Sequence, residues 1–394
     1  MLYPMNARLL NVVGDKRAEE IPFDLDPALA ETVSLGASDL HVKPGCRPRV
    51  RIEGELHELN GYGPVTRDDL LKIATAVLTS DLKKRILEDE GSADLSYDSD
   101  AAGRFRCSAF RQRGGTSYIF RTIPEAPDFD ELGLPEVCLT WTGAPQGLVI
   151  VTGPTGSGKS TTSAAMLRRI NEGRSCHIVT VEDPIEFIHH DARALVSQRE
   201  IGPDAPSFTR ALKAALRQDP DVILVGEIRD EDTALTALRA AETGHLVFAT
   251  LHTSGAADSI ARLMELFAGR GSNLGRQMLA SSLVGIISQR LIRGVDGRRR
   301  LNAEVMVNTA RMRECLTDGG DSSELLQIIA EGDYYGMQTF DQSLLDLVAR
   351  GEVLAAEATA MAINAHNFRL ELKQLDGSVD GSTDVLHTGL KPKA

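Results

Sequence analysis

Leu148-Val149-Ile150-Val151-Thr152-Gly153-Pro154-Thr155-Gly156-Ser157-Gly158-Lys159-Ser160 decides how this chain is read. Residues 148–152 form a short apolar and β-branched run of the kind that fills a fully buried strand. The pattern G-x-x-x-x-G-K-[ST] follows at once, from Gly153 to Ser160. In such a loop glycines let backbone N–H groups converge on phosphate oxygens, Lys159 supplies a point charge to the β and γ phosphates, and Ser160 offers a hydroxyl ligand to Mg²⁺. A helix starting at Ser160 adds its positive N-terminal end. Strand, loop and helix occur in the required order, so Gly153, Pro154, Thr155, Gly156, Ser157, Gly158, Lys159, Ser160 and Thr161 are expected to hold a nucleoside triphosphate.

Downstream, short apolar runs alternate with helical patterns, which marks a parallel sheet with crossover helices. Ligands of such sheets sit beyond the carboxyl ends of the strands, so the polar residues there are the candidates. Ile178-Val179-Thr180-Val181 leads to Glu182-Asp183-Pro184-Ile185-Glu186, Val222-Ile223-Leu224-Val225 leads to Gly226-Glu227-Ile228-Arg229-Asp230, and Leu246 to Leu251 leads to His252, and all three sets are expected to face the phosphate loop. Phosphoanhydride hydrolysis needs a metal to neutralise charge and a carboxylate to orient or deprotonate water. Glu227 is assigned to the magnesium shell through water and Glu182 to the attacking water, and the reverse assignment fits the same residues. Ser160 is the direct metal ligand. Asp183 and Asp230 fit helix capping better. His252 is placed to sense the γ phosphate. His245 precedes the same strand, which sets it near the opposite edge of the sheet, and His41 reads as structural.

Upstream, a helical pattern from Asp26 stops at Gly36, residues 49–57 read as a hairpin turned at Glu53-Gly54, and one helix is predicted from Arg67 to about Glu88. Strands follow to Thr122, giving an α+β first domain over 23–123 after an extension at 1–22. Within it Arg104, Arg106, Arg111 and Arg113 alternate along a strand, with Arg104 and Arg106 on one face and Arg111 and Arg113 on the other. Guanidinium groups suit phosphate oxygens, and a solvated edge strand is the plainer reading. Prolines at 124, 127 and 135 and Gly143-Ala144-Pro145 punctuate an expected linker over 124–145. An α/β core is expected over 146–300, a helical region over 301–370, and a disordered tail over 371–394.

Composition sets the outer limits. A chain of 394 residues exceeds one small module. With 42% hydrophobic and 25% charged residues it matches a globular protein. Its net charge of −13 argues against sequence-independent nucleic-acid binding. No apolar run reaches the roughly 18 residues of a membrane helix, and no signal peptide is evident, so a cytoplasmic location is expected. Five scattered cysteines without a C-x-x-C pair suggest neither disulfides nor zinc.

Taken together these motifs resemble the secretion ATPase superfamily, and within it the PilT-like ATPases of the type IV pilus retraction machinery. The resemblance runs from about Asp26 to about Asn364. It rests on Gly36-Ala37-Ser38-Asp39-Leu40-His41, the arginines of 104–113, the Walker A loop, the Asp box at 180–186, the Walker B ending in Gly226-Glu227, the His box from Thr243-Gly244-His245 to Leu251-His252-Thr253, and Gly336-Met337-Gln338-Thr339-Phe340-Asp341-Gln342. It implies a RecA-like P-loop core with a PAS-like N-terminal domain, ATP and Mg²⁺ as ligands, and a homo-hexameric ring. It also gives weight to Arg104, Arg106, Arg111 and Arg113 as fingers reaching phosphate, and to His245 as part of the His box.

A motor of pilus retraction and twitching motility is the function this resemblance implies, peripheral to the inner membrane through a platform protein and associated with paralogous pilus ATPases. The family's retraction motif A-I-R-N-L-I-R-E stands here as Arg311-Met312-Arg313-Glu314-Cys315-Leu316-Thr317-Asp318, which keeps the spacing and Arg313. Alternatives are a nucleotide-binding regulatory paralogue, a pilus-assembly or type II secretion ATPase, and a RecA-like DNA motor, which the acidic balance disfavours.

Overall fold

A computed structural model of the chain describes residues 21–267 and 272–378. Almost all of the expected N-terminal extension, and residues 379–394 of the expected tail, lie outside the described residues. The chain divides into two compact units, Met1–Glu125 and Ala126–Ala394.

The first helix among the described residues of the first unit is α1 (Leu25–Ser34), which stops where Gly36 takes a φ of 66°. Next come β1 (Asp39–Val42), β2 (Arg49–Ile52) and β3 (Glu55–Glu58). The β2–β3 hairpin turns as expected at Glu53 and Gly54, both at positive φ, the conformation that suits a two-residue turn between twisted strands. The single helix expected over 67–88 is two, α2 (Arg67–Val77) and α3 (Asp81–Glu90). Leu78 leaves the helical region at ψ 64°, and the Ser80 hydroxyl caps the new helix by accepting from Lys83 N. Strands β4 (Ser92–Ser99), β5 (Gly103–Gln112) and β6 (Gly115–Thr122) complete an antiparallel sheet of order β3-β2-β1-β6-β5-β4. Leu29, Ile73 and Val77 of the helices share a buried core with Leu40, Phe105, Cys107 and Phe120 of one sheet face.

The second unit opens where a linker was expected. A turn of 3₁₀ helix (Phe129–Glu131) and α4 (Glu136–Thr142) occupy this stretch, and Phe129, Cys138 and Trp141 are buried in the core of this unit. There follow β7 (Gly147–Thr152), α5 (Lys159–Gly173), β8 (His177–Glu182), β9 (Leu195–Glu200), α6 (Phe208–Ala215), β10 (Val222–Val225), α7 (Glu231–Glu242), β11 (Leu246–Leu251), α8 (Ala256–Phe267) and α9 (Ser272–Ser282). The sheet continues into β12 (Leu283–Arg293) and β13 (Arg299–Val307), in the order β13-β12-β7-β11-β10-β8-β9. All neighbours are parallel except β12 and β13. The helical region therefore starts after Val307 rather than at 301.

Every residue of β7 is buried, because the sheet is covered on both faces. Leu148 and Ile150 face a core with α6, α7 and α9, while Val149 and Val151 face Met166, Leu167 and Ile170 of α5. Beyond the sheet lie α10 (Ala310–Asp318), α11 (Ser322–Ala330), α12 (Phe340–Ala349), α13 (Ala355–Met361) and α14 (Ala365–Ser378). Leu344, Leu347, Ala358 and Phe368 pack there around Ile292 of β12. The helix α14 carries regular structure to residue 378, where a disordered tail was expected from 371.

Candidate functional site

Strands β7, β11, β10 and β8 run parallel and deliver their carboxyl ends to one edge of the sheet. There a cavity of about 700 Å³ is lined by residues 155–164 together with Glu182, Asp183, Glu186, Glu227, Arg229 and His252. The loop has the backbone its sequence demands. Gly156 and Gly158 stand at φ 79° and 91°, and α5 begins at Lys159. At Gly153 a Cβ would collide with the carbonyl oxygen of Gln289 and the Ser157 hydroxyl, so only glycine fits between them. Lys159 Nζ donates to the Gly153 and Pro154 carbonyls at 2.8 and 3.1 Å, which holds the ammonium over the loop. Burial lowers its pKa, against the opposing pull of Glu227 and Glu186.

The carboxylates are brought together by a second glycine. Gly226 N donates to Val181 O at 2.8 Å, and a Cβ at Gly226 would stand 2.9 Å from that oxygen and 3.2 Å from Glu182 Cα. The turns bearing Glu182 and Glu227 can lie against each other for this reason. Glu182 Oε1 accepts from Thr180 Oγ1 at 2.6 Å and from Gln198 Nε2 at 3.2 Å, while burial raises its pKa. Glu227 accepts from Arg229 Nε at 2.6 Å through Oε2, and its Oε1 lies 3.5 Å from His252 Nε2. Asp183 pairs with Arg229 at 3.5 Å instead of capping a helix, whereas Asp230 does cap α7, accepting from Thr233 N at 2.8 Å.

Five carboxylates around a phosphate loop, Glu131 with the four named above, repel an anionic ligand unless a cation comes with it. The donor set fits a divalent ion carried by the ligand. Among the described residues no three His, Cys, Asp or Glu side chains converge on a metal position, so hydroxyl, water and phosphate oxygens would supply the ligands. Ser160, in the first turn of α5, and Glu227 both face the cavity.

His245 stands where its position before β11 puts it, away from the cavity, and two expectations about the arginine strand need revision. His245 is not among the cavity residues. It lies at the start of the six-residue β11, with Nδ1 2.9 Å from Ala240 O, about 20 Å from the end that bears His252. Strand β5 is interior, between β6 and β4, so it is not an edge strand. Arg104 and Arg106 lie on the face opposite buried Phe105, Cys107 and Ala109, and Arg104 pairs with Asp98 at 3.3 Å. Arg111 is exposed with NH1 3.5 Å from Glu88 O, but Arg113 lies in the β5–β6 turn at φ 44° and shares no strand face with it.

The sequence places Arg229 at a strand end facing the loop without giving it a role, and Arg299 and Gln289 are not legible in it. Arg229 follows Glu227 by two residues and was legible as a polar group past a strand end. Gln289 and Arg299 arrive on the β12–β13 hairpin, and Gln289 Nε2 donates to Thr162 Oγ1 at 2.7 Å across 127 residues of chain, for which no local pattern exists.

Residues 15–360 match the family described as Type II/IV secretion system protein. The chain is 41% identical to the type IV pilus retractation ATPase PilT of Pseudomonas aeruginosa over 346 residues, covering 88% of this chain and 100% of that protein. It is 35% identical to the type IV pilus ATPase PilU of the same organism, covering 89% and 91%. A crystal structure of the pilus retraction motor PilT with bound ADP superposes with a TM-score of 0.78 at 41% identity, covering 88% of this chain and 98% of that one. Similarity of this extent, spanning both units and the phosphate cavity, leads to one conclusion: the chain belongs to the Type II/IV secretion system protein family.

Proposed function

We propose that this chain is the ATP-hydrolysing motor of a type IV pilus machine, working in retraction and twitching motility as a homo-hexameric ring. The observation that carries the reading is the single cavity in which a phosphate loop faces two carboxylates, Glu182 and Glu227, held together by the glycine contact at 226. Its PilT and PilU relatives supply the machine.

Residues 153–161 wrap the phosphates, and Lys159 leaves the loop carbonyls to meet the β and γ oxygens. When bound, Mg²⁺ neutralises phosphate charge in the transition state. Ser160 would ligate it directly and Glu227 through water. The raised pKa of Glu182 suits a base that takes a proton from the attacking water. His252, beside Glu227, reports the γ phosphate to β11 and α8. Arg104, Arg106, Arg111 and Arg113 of the first unit are proposed fingers that stabilise phosphate charge, and His245 a His-box residue acting away from the cavity. Phosphate occupancy then biases the two units between arrangements. Force passes to a platform protein of the inner membrane, with paralogous ATPases as further partners. No helix among the described residues is long and apolar enough to cross a membrane, which fits attachment through protein partners.

Steady-state ATP hydrolysis by purified protein tests this. Turnover is expected in the parent chain, and a fall of at least about 100-fold is expected in Lys159→Ala and Glu182→Gln. Nucleotide binding without turnover in the parent chain would favour the regulatory paralogue.

A further inference from the structure

Arg229 touches both carboxylate turns of the site, and nothing in the phosphate-loop chemistry requires it. Its Nε lies 2.6 Å from Glu227 Oε2, its NH1 lies 3.5 Å from Asp183 Oδ2, and its guanidinium carbon stands 5.8 Å from the centre of the Phe208 ring. A planar fork with fixed donor directions can hold two carboxylates in a set relation, which a point charge on a flexible stem does not. The aromatic face supports the guanidinium from a third side. Because Oε2 of Glu227 is taken by Arg229, the remaining oxygen is the one turned to His252, 3.5 Å away. The Arg229 side chain is 57% exposed, so its pull on Glu227 is that of a screened pair and acts on orientation more than on folding stability.

We propose that Arg229 is a positioning residue for the hydrolysis step: it fixes the carboxylate plane of Glu227 and ties the turn that bears Glu227 to the turn that bears Asp183. This rests on the ATPase reading above. It assigns Arg229 no contact with the nucleotide, so its whole effect on turnover passes through Glu227.

A double-mutant cycle on the full chain decides the matter. Arg229→Gln, Arg229→Lys, Glu227→Gln and Arg229→Gln/Glu227→Gln are compared for kcat and KM with ATP, for the Kd of a fluorescent ADP analogue, and for thermal midpoint. Residual rates are taken from single turnovers with protein in excess. Arg229→Gln is expected to lower kcat about tenfold while KM and the Kd stay within about twofold. Arg229→Lys is expected to recover part of that loss. In the Glu227→Gln background the Arg229→Gln change is expected to cost nothing further. An equal loss in both backgrounds would overturn the proposal, since Arg229 would then act on phosphate itself. So would a loss that appears in the Kd or in the thermal midpoint, which marks nucleotide contact or folding. A parent chain that binds the analogue and hydrolyses no ATP would give a different signature, failure of the ATPase reading, and would remove the proposal with it.

Discussion

At the scale of single residues the site sets stability against chemistry, and Glu182 shows it most directly. Burial raises its carboxyl pKa despite the Thr180 and Gln198 hydrogen bonds. Between the unfolded value, about 4.3, and the higher folded value, the folded chain keeps a proton that the unfolded chain has released. Stability contributed at this position is therefore full below the unfolded value, falls as pH climbs to the folded one, and stays reduced above it. Glu182→Gln removes the charge and keeps an acceptor for the Thr180 hydroxyl. Thermal melts are expected to show the variant more stable than the parent at neutral and alkaline pH, with the advantage gone near pH 4, while its ATP turnover is lost. A variant less stable than the parent at pH 8 would show that the buried carboxylate is favoured in the fold.

At the scale of elements, the instructive stretch is 124–145. Its prolines and lack of sustained periodicity read as a linker, yet the seven-residue α4 seats Trp141 against β12. A helix of two turns carries too few positions for a period to be seen, and its anchor, Gly285, is more than a hundred residues away. A Cβ at Gly285 would collide with the Trp141 ring and stand 2.8 Å from Met306 O. Gly285→Ala is expected to destabilise the second unit by about 1–3 kcal/mol in urea. Trp141 is the only tryptophan and 2% exposed, so its fluorescence follows the same event, and iodide should quench it only after unfolding. Unchanged stability in Gly285→Ala would mean that α4 does not depend on this contact. Strand β13 was missed for a related reason: Asn302 and Glu304 are polar at buried positions, which breaks the apolar run that marked β7, β8, β10 and β11. The phosphate loop and strand-end carboxylates were legible because their chemistry is written in consecutive residues. Arg299 and Gln289 were not, since their place depends on how β12 joins the sheet.

At the scale of the whole molecule, the proposed ring makes a demand that no single chain can meet. If hydrolysis in one subunit depends on the others, a subunit that cannot hydrolyse should silence its neighbours. Lys159→Ala provides such a subunit, because the lysine is removed from the loop while the first unit, with Arg104, Arg106 and Arg111, is left intact. Parent chain and variant are mixed one to one before assembly, and turnover per parent chain is measured against the parent alone. Independent subunits would leave that value unchanged. In a six-membered ring that works only when complete, roughly one ring in sixty would contain parent chains alone, so turnover should fall far more than the variant's share. The same measurement on the parent alone is expected to show turnover per chain rising with protein concentration, as chains pass from isolated subunits into assemblies. Turnover per chain that neither rises with concentration nor falls on mixing would place the whole reaction within one chain, and the ring would then have no part in hydrolysis.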